Sequence, residues 1–238
     1  MEKKIVVFGD SISKGIVSEG EKLLKLDSDA ATLIEEKYGY TIINQSRYGM
    51  TLKRLCERRA VEKFLDQTDG VEYAVLCIGG NDADYDWKAV GENPQLDHGP
   101  VTPIEEFYSL LEGTVELLQE RGVNVMLCTI PPVDAVRYFD NVICLRADGD
   151  RVLEFLNGDL SNISRHQEAY NSYIVGCAVK HGCPVIDLRT GFLLDRRYLS
   201  NYCEDGVHPN CLGHRFMAEQ IVLSLARQGV FLKKRVKE

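Results

Sequence analysis

The 238-residue sequence has no CxxC pair among its eight cysteines, no basic surplus and no apolar run long enough to cross a bilayer. Each absence removes a class of function. Without ligand-spaced Cys or His clusters a structural zinc site has no basis, and the scattered cysteines (56, 77, 128, 144, 177, 183, 203, 211) outline no disulfide framework. Cys77 and Cys128 lie in apolar, strand-like runs, as reduced core thiols do. A formal net charge of −8 repels phosphate backbones and anionic headgroups, so neither nucleic acid nor a membrane is an expected partner. The one basic run, Lys233-Lys234-Arg235 with Lys237, reads as a solvated C-terminal tail. The apolar run Ile5–Phe8 is too short for a signal peptide, so the chain is expected to be cytoplasmic. There is also no glycine-rich phosphate loop at the first helix, where Gly9 and Gly15 stand alone.

What the sequence does carry is alternation. Five β-branched-rich runs bounded by turn residues read as buried parallel strands: 4–8, 40–44, 73–78, 124–128 and 184–187. Helical periodicity fills the intervals. In Pro103–Arg121, Ile104, Phe107, Leu111, Val115 and Leu118 make one apolar stripe, with Thr102 as cap, Glu105 as capping-box partner and Gly122 as the stop. A second helix is expected from Ser164, boxed by Gln167, to Gly182; weaker ones span 29–38 and 51–65. The last starts near Asn210 and should bury Leu212, Phe216, Met217, Ile221 and Leu225. The length suits one domain, 1–238, and the order implies an α/β fold whose parallel sheet binds ligands at the C-terminal edge of its strands. Stretches 12–27, 83–101 and 133–163 fit no βα repeat and are candidate substrate loops.

Four turns at that edge carry chemistry. Gly9-Asp10-Ser11 follows the first strand and offers a hydroxyl on a tight turn, although such a triplet occurs by chance in roughly one chain in twenty of this length. Asp205-Gly206-Val207-His208 precedes the last helix. Serine is a poor nucleophile until a base takes its proton, and a carboxylate three residues before the imidazole can fix the base's tautomer. After the second and third strands, Gly49 offers an unshielded N–H and Asn81, in Gly79-Gly80-Asn81-Asp82, a side-chain amide. With the Ser11 N–H these make a set of donors for a tetrahedral oxyanion. Singly, each reads equally as a plain turn. His98, His166, His181 and His214 have no patterned partner and read as surface or helix-end residues; Tyr85 and Trp87 can line a pocket or merely pack.

In this order the four blocks resemble the SGNH hydrolases, the GDSL-like lipases and esterases, from Ile5 to about Leu225. The resemblance implies Ser11 as nucleophile, His208 and Asp205 as its partners, and an oxyanion hole of Ser11, Gly49 and Asn81. It implies a three-layer, flavodoxin-like α/β/α sandwich with five parallel strands in order 2-1-3-4-5. Ile12 stands where the name-giving block has Leu, and Ser46 where the glycine block often opens with Gly. The expected activity is hydrolysis of a small carboxylic ester, acetylated carbohydrate included, with no cofactor and no metal. Acyltransferase, thioesterase and lysophospholipase chemistry fit the same site. A non-catalytic carbohydrate-binding module on this fold is the reading of another class, opposed by the complete set of reactive residues.

Overall fold

A computed structural model describes residues 4–20 and 22–230; the basic run at 233–237 lies outside them. Five parallel strands form the central sheet: β1 (Lys4–Gly9), β4 (Thr41–Asn44), β5 (Val71–Cys77), β6 (Asn124–Cys128) and β7 (Val185–Ile186). Between β1 and β4 come a short antiparallel hairpin, β2 (Ile16–Glu19) and β3 (Lys22–Lys25), and helix α1 (Ala30–Tyr38). The sheet order is β4-β1-β5-β6-β7, which among its own strands is 2-1-3-4-5, the order expected. The direction of winding reverses between β1 and β5, and at such a reversal the loops above the two strands diverge and leave a crevice.

Strand side chains alternate between the faces, and the core divides accordingly. Val6, Phe8, Ala74, Leu76 and Leu127 pack with Leu52, Leu55, Phe107, Leu111 and Ile174 on one side. Ile5, Val7, Val75, Met126 and Ile186 pack with Ala30, Phe192, Met217 and Leu225 on the other. The first layer is supplied by α2 (Leu52–Glu57), α3 (Ala60–Leu65), α5 (Ile104–Glu120) and α8 (Ser161–His181), the second by α1, α9 (Leu188–Leu194) and α10 (Cys211–Arg227). The stretches that fit no repeat carry elements of their own. Residues 12–27 hold the hairpin, 83–101 holds α4 (Trp87–Glu92), and 133–163 holds α6 (Ala135–Tyr138), a π-helical turn (Phe139–Ile143) and α7 (Gly149–Phe155). The last two stretches share a core of their own, in which Trp87 and Val90 meet Tyr138, Ile143, Val152 and Leu156.

Several local expectations are corrected. The 51–65 helix is two, divided at Arg59, whose backbone turns left-handed at φ 50°. Thr102 does not cap α5, whose N-cap is Pro103, because its hydroxyl is taken by the buried Asp82 carboxylate at 2.7 Å. Helix α8 begins at Ser161 rather than Ser164, and Gln167 makes no capping box, since its side-chain oxygen accepts from Val133 and Arg189. Leu212 is 54% exposed, and Gly213 and His214 face inward instead. Helix α10 starts so close to the Asn201 carbonyl that a Cβ on Gly213 would stand 2.1 Å from it.

Candidate active site

The turn after β1 is built by Asp10. Its Oδ1 accepts the Ile12 N–H at 2.9 Å, and its carbonyl accepts from Lys14. This winds the chain tightly and lifts Ser11 over the strand end. The Ser11 side chain opens into a cleft of about 640 Å³ above the β1/β5 reversal. Burial pushes the Asp10 carboxyl up to about 6, against the pull of the Ile12 N–H and the nearby His208.

Across the cleft, Asp205 opens a turn that its own side chain closes: Oδ1 accepts the backbone N–H groups of Val207 and His208 at 2.9 and 3.0 Å. The other oxygen lies 2.6 Å from His208 Nδ1, and His208 Nε2 lies 2.9 Å from Ser11 Oγ. All three residues are buried to within a tenth of their surface. Burial alone would raise the Asp205 carboxyl, but the His208 ring and these two N–H groups outweigh it and hold the pKa below its usual value. A carboxylate at Nδ1 fixes the neutral ring as the tautomer whose Nε2 accepts. Gly206 is required in this turn: its φ is 69°, and a Cβ would meet the Asp134 carbonyl at 2.7 Å.

The other two turns meet beside Ser11. Gly49 has φ 62° in the loop after β4, and neither its N–H nor that of Ser11 donates to a described residue. Asn81 donates through Nδ2 to the Met50 carbonyl at 3.1 Å, so one amide hydrogen positions the side chain and the other stays available. Ser46, the departure in the glycine block, ties its turn to the first one through a 3.0 Å bond with Ser13. Thus Ser11, Gly49, Asn81, Asp205 and His208 all line one cleft.

The profile of the GDSL-like lipase/acylhydrolase family matches residues 7–216. The chain belongs to this family. It is an ester-hydrolysing enzyme, and its fold has relatives among solved structures. A lipase/acylhydrolase from Enterococcus faecalis is 18% identical at TM-score 0.67, with 99% of each chain covered. An acetylxylan esterase from Geobacillus stearothermophilus is 16% identical at TM-score 0.64, with 94% of each covered. The acetyl xylan esterase AlAXEase is 21% identical at TM-score 0.61, covering 96% of this chain and all of its own. No curated protein matches.

The remaining sequence candidates fall outside the cleft. Trp87 is buried beneath its wall and donates to Asp84, while Tyr85 bonds His166 at 3.2 Å. His181 faces Glu112 at 3.3 Å, and His98 reaches the Asn93 carbonyl. His214 lies in the first turn of α10 but not at the surface: it is 1% exposed, accepts the Ala30 N–H, and burial lowers its pKa to about 4. All eight cysteines are free, Cys128 buried and Cys77 half-buried. Among the described residues no three His, Cys, Asp or Glu side chains gather as metal ligands, and no helix is long and apolar enough to cross a membrane. Sequence reasoning missed Asp82, which is fully buried and accepts the Leu52 N–H at 2.9 Å, and Asp84, which faces the cleft. The only sequence signal for Asp82 was adjacency to Asn81, and Asp84 had none.

Proposed function

We propose that the protein is a serine esterase in which Ser11 attacks the ester carbonyl, His208 is the general base and Asp205 orients it. The observation that carries this reading is the relay from Asp205 Oδ2 through His208 to Ser11 Oγ, with spans of 2.6 and 2.9 Å, opening onto the cleft. His208 takes the Ser11 proton as the Oγ–carbonyl bond forms, and the Ser11 and Gly49 N–H groups with Asn81 Nδ2 receive the oxyanion. His208 then gives the proton to the departing alkoxide, and water repeats the cycle on the acyl-enzyme to free the acid.

The acyl group in this reading is short, acetyl above all. Solved structures of like fold include acetylxylan esterases. A fluorophosphonate probe should label Ser11, and Ser11→Ala should lose both labelling and p-nitrophenyl acetate hydrolysis. Label mapped to another serine, with Ser11→Ala still active, would overturn the assignment. Addition of alcohol to the reaction separates hydrolysis from acyl transfer, since a transferase would partition its acyl-enzyme to the alcohol.

A further inference from the structure

The alcohol half of an ester must lie on the His208 side of the cleft, because that ring protonates it as it leaves. The wall on that side is identifiable. Gly206 accepts from the Asp134 N–H at 2.9 Å, and the Glu204 carbonyl accepts from Asn141 at 2.8 Å, so the segment from Asp134 through Arg146 is fastened to the Asp205–His208 turn.

Beside the apolar Val142 and Leu145, this wall carries a defined set of polar groups. Tyr138 donates to one oxygen of Asp84 at 2.6 Å and Trp87 to the other at 2.8 Å. A carboxylate has about four acceptor positions, so each oxygen keeps capacity toward the cleft that Asp84 lines. Arg146 lines the same cleft, is exposed, forms no ion pair with a described residue and lies near enough to Asp84 to act on its charge. Gln167 completes the set. Its oxygen is occupied by the Val133 N–H at 3.2 Å and Arg189 Nη1 at 3.0 Å, which turns the two Nε2 hydrogens away without a described partner.

These groups sort the candidate alcohols. An alkyl chain laid against them would leave polar groups desolvated and unpaired. A phosphate would meet the carboxylates of Asp84, Glu204 and Asp205, which share the cleft with a single arginine. A neutral polyol suits them, because each hydroxyl both donates and accepts. We infer that Asp84, Arg146 and Gln167 form the leaving-alcohol subsite and select esters of neutral polyhydroxylated alcohols, a sugar ring being the chemical type. The inference rests on the Ser11–His208 reading.

The test compares methyl xylopyranoside monoacetate with cyclohexyl acetate, which has a six-membered ring and no hydroxyls. Sites that hydrogen-bond a substrate hydroxyl reject the analogue lacking it by large factors, and here kcat/KM should favour the glycoside by at least about 100-fold. Gln167→Glu keeps the oxygen that Val133 and Arg189 require and replaces the free donor with an acceptor; Arg146→Ala removes an exposed side chain with little risk to folding. Each should cut the glycoside preference about tenfold or more, read as the ratio of the two kcat/KM values. Equal rates on both esters, or a preference that survives both variants, would overturn the subsite. Continued hydrolysis of both esters by Ser11→Ala would instead overturn the reading beneath it.

Discussion

Gly206 does not line the cleft, yet its replacement by alanine should disable the enzyme. At φ 69° an alanine pays about 1–2 kcal/mol for the left-handed conformation. The new methyl would stand 2.7 Å from the Asp134 carbonyl, 2.8 Å from Arg137 Cβ and 3.0 Å from the Tyr138 N–H. The first of these is 0.7 Å inside the 3.4 Å at which ordinary contact begins, and two of the three obstacles are backbone. Flexible side chains cannot absorb such a clash. Either α6 moves away or the 205–208 turn does, and the turn carries the 2.6 Å Asp205–His208 bond.

A displacement approaching 1 Å at a catalytic group costs on the order of 10²-fold in rate. Gly206→Ala should therefore lower kcat/KM for p-nitrophenyl acetate by about 30- to 100-fold. A stability loss of about 2 kcal/mol should lower Tm by about 4–8 °C. Gly122→Ala is the control: φ there is 74° but nothing lies within 4 Å of the added methyl, so it tests left-handed strain without the clash. Its Tm should fall and its kcat should not. A Gly206→Ala enzyme matching Gly122→Ala in both assays would refute the steric reasoning.

Asn81→Ala should lower kcat by about 10²–10³-fold with a much smaller change in KM, the pattern of a donor used in the transition state, and steady-state kinetics on p-nitrophenyl acetate checks it. Asp205→Asn should cut kcat/KM by up to about 10⁴-fold, because nothing then holds His208 in the tautomer whose Nε2 accepts; near-full activity in the same steady-state assay would make Asp205 a turn residue only. For His214 the folded pKa of about 4 lies below the ordinary 6.5, so the unfolded chain takes the proton first as pH falls. Its contribution to stability is intact above pH 6.5 and is lost between 6.5 and 4, by on the order of 3 kcal/mol. His214→Gln, which can still accept from Ala30, should flatten that slope in denaturant titrations run across the window; an identical slope would exclude His214 as its source.

The candidate site residues could be picked out in the sequence because each is fixed by its own neighbourhood in the chain. The Asp205 turn closes through bonds two and three residues ahead, and Ser11 rides on a turn closed by Asp10 just before it. Strand runs and the α5 stripe are local patterns too, and they match within a residue or two. What failed was every inference that took a side chain to serve its own helix when a distant group had a stronger claim on it. Thr102 answers Asp82, twenty residues back, and Gln167 answers Val133 and Arg189. Asp84 and Arg146 had no local signature at all, because the wall they share exists only once 83–101 and 133–163 have packed on Trp87 and Tyr138.

Asp82 shows why the turns that carry Gly49 and Asn81 behave as one part. It is fully exposed to the cost of burial, which raises its carboxyl pKa, and it is tolerated because Thr102 and the first N–H groups of α2 satisfy it. Those N–H groups follow directly on Gly49–Thr51. One residue earlier, Asn81 reaches the Met50 carbonyl in the same loop. Two adjacent side chains of the third turn thus hold the second at Met50 and Leu52, just past Gly49, which ties the Gly49 N–H to the Asn81 amide. Donors that stabilise a transient charge work only if they need no rearrangement when it forms. A buried carboxylate that costs stability is consistent with that demand, since its loss would free the loop that carries Gly49.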